Sequence, residues 1–185
     1  MSIDAERGNQ LVLPALKGRT IALRSFRSKD ALMIQEASKD DLIPTITSVP
    51  SENSEESALA FIDRQHERLR TRSGYSFAIA DENDDGVGQI GLWLQNEHHG
   101  RASIGYWIRP SARKRGYATD AISALAGWAR TLPQLHRLEM YVEPWNEGSW
   151  RAAERAGFER EGLMRSWQPV GGVNRDMFMY SMLTK

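Results

Sequence analysis

ASIGYWIRPSARKRGYATDAISALAGW, residues 102–128, decides how the chain is read. Its first seven residues, Ala102 to Ile108, are small and apolar enough for a buried strand. Arg113, Lys114, Arg115 and Gly116 then make a basic turn. Beyond it Ala118, Ala121, Ile122, Leu125, Trp128, Ala129 and Leu132 stand at i, i+3, i+4, i+7, i+10, i+11 and i+14, the apolar stripe of a helix. Pro133 is expected to end it. A strand that hands a glycine-bearing basic turn to a helix start suits a polyanion. The first helical turn has backbone N–H groups without intrahelical acceptors and carries partial positive charge, and a glycine lets the backbone come close to an anion. Arg113 and Arg115 add charge-assisted donors, each contributing about 1.5–3 kcal/mol where it reaches a phosphate.

Arg113-Lys114-Arg115-Gly116-Tyr117-Ala118 resembles the R/Q-x-x-G-x-G/A pyrophosphate-binding signature of the GNAT superfamily, the acyl-coenzyme A-dependent N-acyltransferases. Ile104-Gly105-Tyr106-Trp107-Ile108, Asn146-x-x-Ser149 and Gly157-Phe158 are similar to the branch typified by ribosomal-protein N-terminal alanine acetyltransferases (RimJ/RimL-like). These elements follow the family's order and, with their flanks, cover the chain from Thr20 to Leu183. The resemblance implies a sheet in which strand 102–108 and the next strand splay apart, with coenzyme A entering the gap. It implies main-chain bonds to the donor from Trp107, Ile108 and Arg109, and a pyrophosphate site made by Arg113, Lys114, Gly116, Tyr117, Ala118 and Thr119. Asn146 would line the same channel, and Ser149 would protonate the departing thiolate. Acetyl-CoA is the implied donor, with a larger one such as succinyl-CoA left open. The acceptor is an amine, on a protein N-terminus or a small molecule, and a homodimer through the last strands is left open.

The chain has 185 residues, enough for one domain with a sizeable core. We read residues 1–18 as an N-terminal tail, its first ten residues mobile, and 19–185 as a single domain. Lysine and arginine number 24, as do aspartate and glutamate, so no global basic field gathers nucleic acid, and the cluster at Arg109, Arg113, Lys114 and Arg115 is local. The absence of cysteine removes disulfides, thiolate metal ligands and a thiol nucleophile. The start MSIDAERGNQ lacks the apolar stretch of a signal peptide, and no run approaches a membrane span. The expectation is a cytoplasmic protein with no metal, nucleic-acid or membrane partner.

Taken in order, Thr20 to Ser25 alternates as a first strand, and Ser28 and Asp30 precede a short helix from Ala31 to Ala37. Leu42 to Asn53, with Pro44 and Pro50, reads as a loop. Ser54 caps a second helix whose stripe is Leu59, Ile62, His66 and Leu69 and whose end is Gly74. Tyr75–Ala80 and Val87–Leu94 flank the polar turn 81–86 as a hairpin. The acidic residues of that turn, and His98 and His99 in the next, are read as solvated rather than metal-binding. Arg137–Val142 is a strand that places Glu139, Tyr141 and Glu143 on one face. Asn146 caps the helix 147–156, and Gly157 follows its end. Phe158–Trp167 and Asp176–Leu183 are the last strands, joined by the turn 171–174. The order is that of an α/β domain with a mixed, mainly antiparallel central sheet flanked by helices, the GNAT-like architecture.

Acyl transfer to an amine needs a neutral amine, a stabilised carbonyl oxygen and a proton for the thiolate. Backbone N–H groups near Ile108 serve the oxygen. Many members of the family carry a tyrosine four residues after the Ser149 position, where this chain has Ala153, so Ser149 or water is left as the acid. The carboxylate of some close relatives near the final loop falls at Gln168, which cannot take a proton, so Glu139 and Glu143 are the candidate bases, directly or through water. Trp93, Trp107, Trp145 and Trp167 are read mostly as core, with one or two lining the acceptor cleft beside Arg165 and Asp176. Two other readings stand beside catalysis: a domain that binds coenzyme A without turnover, and a nucleic-acid module built on Arg109–Arg115 with Trp107 and Tyr117 as stacking groups.

Overall fold

Alternating small and large apolar side chains build most of the sheet in the computed structural model, which describes residues 11–184. The strands are β1 (Leu16–Lys17), β2 (Ala22–Arg24), β3 (Gly74–Ala80), β4 (Gly86–Trp93), β5 (Arg101–Ile108), β6 (Arg137–Val142), β7 (Glu159–Val170) and β8 (Val173–Leu183). They lie in the order β1-β2-β3-β4-β5-β6-β8-β7, every neighbouring pair antiparallel except β5 and β6. This is the mixed, mainly antiparallel sheet expected. The helices are α1 (Ala31–Ala37), α2 (Ile43–Ile46), α3 (Glu55–Arg70), α4 (Tyr117–Ala129) and α5 (Glu147–Arg155).

The period-2 geometry of a strand sorts the core onto two faces. Phe77, Ile79, Ile90, Leu92, Ile104, Ile108, Leu138 and Met140 form one cluster with Ala121, Ile122 and Leu125 of α4 and Ala152 and Ala153 of α5. Ala78 and Trp107, on the opposite face, join Met33 and Ile34 of α1 and Phe61 and Ile62 of α3. The sheet thus separates an α4/α5 side from an α1/α3 side. Among the described residues no helix is long and apolar enough to cross a membrane.

Several boundaries differ from the sequence reading. The sheet starts at Leu16–Lys17, inside the segment read as a tail, while Leu11 and Leu13 pack on the core outside any strand; residues 1–10 lie outside the described ones. Segment 42–53 is not all loop, because α2 forms with Pro44 in its first turn, where the missing N–H costs nothing. The buried face of α3 is Ala58, Phe61, Ile62 and Gln65, whereas Leu59 and His66 are exposed. A polar residue replaces the histidine there because its amide is satisfied: Gln65 Oε1 accepts from Ser76 Oγ at 3.1 Å and from Gln89 Nε2 at 2.9 Å. Helix α4 ends at Ala129, before Pro133. The last hairpin turns on Gly171 and Gly172 alone, whose φ of 57° and 78° suit a two-residue turn and let β7 and β8 run on to Val170 and Val173.

The first turn of α4 is anchored from the amino-terminal side. Asp120 Oδ1 accepts from Arg19 N at 2.9 Å, and Oδ2 accepts from Thr20 N at 2.7 Å and Thr20 Oγ1 at 3.0 Å. Burial pushes this carboxyl up, but the Arg19 and Thr20 donors together outweigh it and hold it below the ordinary value. A folded value below the unfolded one means that the stabilisation is present above about pH 4 and is lost as pH falls through the folded value. Asp120→Asn should therefore destabilise the protein by about 1–3 kcal/mol at neutral pH. Melting followed by circular dichroism should show a deficit that narrows in acid; a deficit that widens there contradicts this account.

Candidate active site

Strands β5 and β6 run parallel and are paired only at Arg101↔Arg137, Ala102↔Leu138 and Ser103↔Glu139. Beyond Ser103, β5 stays with β4 as far as Ile108, and β6 stays with β8 as far as Val142. A V-shaped gap opens between them. Arg109 N donates to Val87 O at 2.9 Å, and the alternation of an antiparallel ladder then turns Trp107, Gly105 and Ser103 toward β4 and leaves Ile104, Tyr106 and Ile108 facing the gap. Of the expected main-chain contacts Trp107, Ile108 and Arg109, only Ile108 is so placed. Its carbonyl accepts from Arg113 Nε at 3.2 Å, which leaves its N–H aimed at the gap.

A cavity of roughly 1210 Å³ runs through the V. At one mouth, on the α4 side, Gly116 adopts φ 82°, with Lys114 also left-handed at 63°. The first helical bond of α4 is Asp120 N to Gly116 O, at 3.1 Å, so the N–H groups of Tyr117, Ala118 and Thr119 have no acceptor within the helix. All three residues line the cavity together with Lys114, Arg115 and Gly116. A Cβ built at Gly116 meets no atom within 4 Å. Two arginines of the basic cluster, Arg113 of the expected phosphate site and Arg109 of the expected main-chain contacts, have structural partners. Arg113 pairs with Asp40 at 2.8 Å while still lining the cavity. Arg109 donates to Glu36 Oε2 at 2.9 Å, and Glu36 also accepts from Ser111 N and Oγ at 2.8 and 3.0 Å. These arginines tie the basic turn to α1 and to the residues just after it. The charges left for a ligand are chiefly Lys114 and Arg115, both exposed, with Arg155 farther along the lining.

The centre of the V holds a hydroxyl pair that the sequence reading missed. Tyr106 OH donates to Ser149 Oγ at 3.1 Å. Ser149 is held in turn by the cap of α5, where its N–H donates to Asn146 Oδ1 at 3.2 Å. Burial pushes the Tyr106 phenol up, the bond to Ser149 opposing it less strongly, so Tyr106 keeps its proton at neutral pH. The signal lay in the alternation of Ile104, Tyr106 and Ile108 along one face of a strand, because a buried tyrosine hydroxyl needs a partner.

The two carboxylates, Glu139 in β6 and Glu143 just past its end, do not share a site. Glu143 lines the cavity and accepts from Trp145 Nε1 at 2.7 Å. Glu139 sits at the closed end of the V, 1% exposed. It accepts from Arg137 Nε at 2.8 Å and Tyr141 OH at 2.7 Å, with Arg101 at 3.7 Å, and is not among the lining residues. Its position outside the cavity leaves Glu143 as the better placed base. Tyr141 is pushed up to about 12 by burial and by Glu139, and its hydroxyl is committed to that carboxylate. Ala153 is buried in the core, and Gln168 lines the cavity. All four tryptophans line the cavity; Trp107 also belongs to the α1/α3 core, whereas Trp145 and Trp167 are 58% and 53% exposed. Asp176 has a local role: its Oδ1 accepts from Ser166 N at 2.7 Å in the bulge of β7, and neither it nor Arg165 lines the cavity.

A gap between two strand edges with a helix start at its mouth is the shape of a site for an extended ligand with an anionic end. Residues 20–159 match the family model described as "Acetyltransferase (GNAT) domain", and the chain belongs to that family of N-acetyltransferases. Probable N-acetyltransferase YjcK of Bacillus subtilis (strain 168) is 30% identical over 180 residues, covering 91% of this chain and 96% of the relative. A GNAT-family acetyltransferase from Bacillus anthracis superposes with a TM-score of 0.77 at 24% identity, covering 92% of this chain and 99% of that one. RimJ from Mycobacterium smegmatis, solved with CoA-disulfide, superposes with a TM-score of 0.75 at 26% identity, covering 92% and 86%.

Proposed function

We propose that the protein transfers an acetyl group from acetyl-CoA to a primary amine by direct attack in a ternary complex. The observation that carries this reading is the gap between β5 and β6, with the Gly116 helix start at its mouth and the Tyr106–Ser149 pair at its centre. The N–H groups of Tyr117, Ala118 and Thr119, with Lys114 and Arg115, hold the pyrophosphate, and the edge of β5 holds the pantetheine arm. The amine nitrogen attacks the thioester carbonyl carbon, Ile108 N–H stabilises the oxyanion, and the carbon–sulfur bond breaks. Ser149 Oγ–H protonates the leaving thiolate as Tyr106 OH passes its proton to Ser149, Glu143, directly or through water, takes the proton lost by the amine, and exchange with solvent then reprotonates Tyr106 and deprotonates Glu143.

Titration calorimetry with acetyl-CoA, and with succinyl-CoA alongside, tests the donor site. Acetyl-CoA should bind at micromolar concentrations, and amines should then release free thiol, an assay without background in a chain that has no cysteine. Binding of succinyl-CoA alone would reassign the donor. Binding without turnover of any amine would support a coenzyme A sensor instead. No binding of either would overturn the pyrophosphate reading and send the basic turn to nucleotides and oligonucleotides.

A further inference from the structure

On the α1/α3 side of the V, Arg68 of α3 has no carboxylate partner. It lines the cavity, with its guanidinium 4.7 Å from the centre of the Trp93 ring. That ring is laid against the backbone: a Cβ on Gly91 would come within 2.3 Å of it and one on Gly105 within 3.0 Å, and these two glycines are cross-strand partners. Glycine at both positions makes a floor, Trp93 covers it, and Arg68 stacks on Trp93. Arg68 donates to Gln65 Oε1 at 3.1 Å and reaches Ser48 Oγ at 3.5 Å, while Arg64, one turn earlier, donates to Ser48 O at 3.2 Å. Among the described residues no carboxylate lies within ion-pair distance of either arginine. Burial and the neighbouring Arg64 both work against the Arg68 charge.

A half-buried cation facing a cavity without a counter-charge is an arrangement that an incoming anion completes. The donor's phosphates are accounted for at the α4 mouth, on the other side of the sheet. Among the described residues the lining contains one carboxylate, Glu143, which discourages polycationic amines, and its apolar part, Ile43, Ile46, Trp107, Val170 and Met177, accommodates a non-polar body. Resting on the acetyl-transfer reading above, we infer that the acceptor is a small primary amine bearing a carboxylate or phosphate, and that Arg68 recognises this anion. Arg68 is then a specificity residue, its planar guanidinium held by Trp93 for bidentate contact with anionic oxygens. A site built around an unpaired cation penalises the neutral analogue, because the cation stays unpaired when that analogue binds.

The test compares acceptor pairs that differ in the anion: phenylalanine against phenylalaninamide, 4-(aminomethyl)benzoate against benzylamine, and phosphoethanolamine against ethanolamine. In at least one pair the charged member should have a kcat/KM about tenfold or more above the neutral one, and the pair in which it does distinguishes carboxylate from phosphate. Arg68→Gln should abolish that preference mainly through KM, Arg68→Lys should restore part of it, and acetyl-CoA affinity measured by calorimetry should stay at the wild-type value in both. Equal use of the two members in every pair, a preference that survives Arg68→Gln, or an N-terminal tetrapeptide amide that outruns every charged small amine overturns the inference. Intact acetyl-CoA binding with no turnover of any of these amines overturns the acceptor class and leaves the donor site standing. Loss of acetyl-CoA binding in the wild-type protein is the separate failure of the transfer reading.

Discussion

Gly116→Glu should weaken acetyl-CoA binding by roughly 100- to 1000-fold while the fold survives. A side chain at φ 82° costs about 1–2 kcal/mol in backbone strain, well within the stability of a domain this size. Steric cost to the protein itself is absent, because the position opens on empty space. The ligand meets the rest of the effect. A carboxylate at the start of α4 competes for the N–H groups of Tyr117, Ala118 and Thr119, neutralises Lys114 or Arg115, and repels the pyrophosphate; losing about 3–4 kcal/mol of charge-assisted bonding corresponds to the stated range. Gly116→Ala carries the same strain without the charge and should lose no more than about tenfold. Calorimetry and thermal melting of both variants separate the effects. Wild-type affinity in Gly116→Glu would remove the anion site from the account.

Tyr106→Phe should lower kcat by about 100-fold, the scale of a lost general acid, with the KM for acetyl-CoA nearly unchanged. Ser149→Ala should do the same, and the double variant should be little worse than either, because two hydroxyls in series act as one unit. The pH profile supplies a readout that a packing defect would not move. Since burial holds the Tyr106 phenol above its ordinary value, the protonated form persists through neutrality and activity declines only as strongly alkaline pH removes the proton. That alkaline limb should disappear in Tyr106→Phe. Unchanged kcat in both single variants would leave water as the proton source.

The central strand, the helix start and the order of the elements were legible in the sequence because each rests on local chemistry: alternation in Ala102–Ile108, a 3.6-residue period after Gly116, and Asn146 as a cap. The roles of Arg109 and Arg113 were not, since their partners Glu36 and Asp40 are more than 70 residues away and nothing in the basic turn announces them. For the same reason Glu139 and Glu143 looked equivalent. Alternation places both on one face, but only the register of β5 against β6 shows that one lies where the strands are still joined and the other where they have parted. Tyr106 was visible as a residue and hidden as a partner, because the hydroxyl it meets lies 43 positions later, on α5.

The three register pairs at the base of the V have a mechanical consequence. Among the described residues they are the strand pairing that joins the five-stranded leaf β1–β5 to the three-stranded leaf β6, β8 and β7, helped by bonds from His136 N and Arg137 N to Gly100 O and by the packing of α4 against α5. With so few bonds between the leaves, the smaller one is expected to open locally without unfolding the larger one. A donor bonded to an edge of the gap acts as a clasp. Amide hydrogens of β6 and β8 should exchange faster than those of β3 and β4 in the free protein and slow toward them once the gap is filled, a coupling of donor occupancy to the stiffness of the sheet.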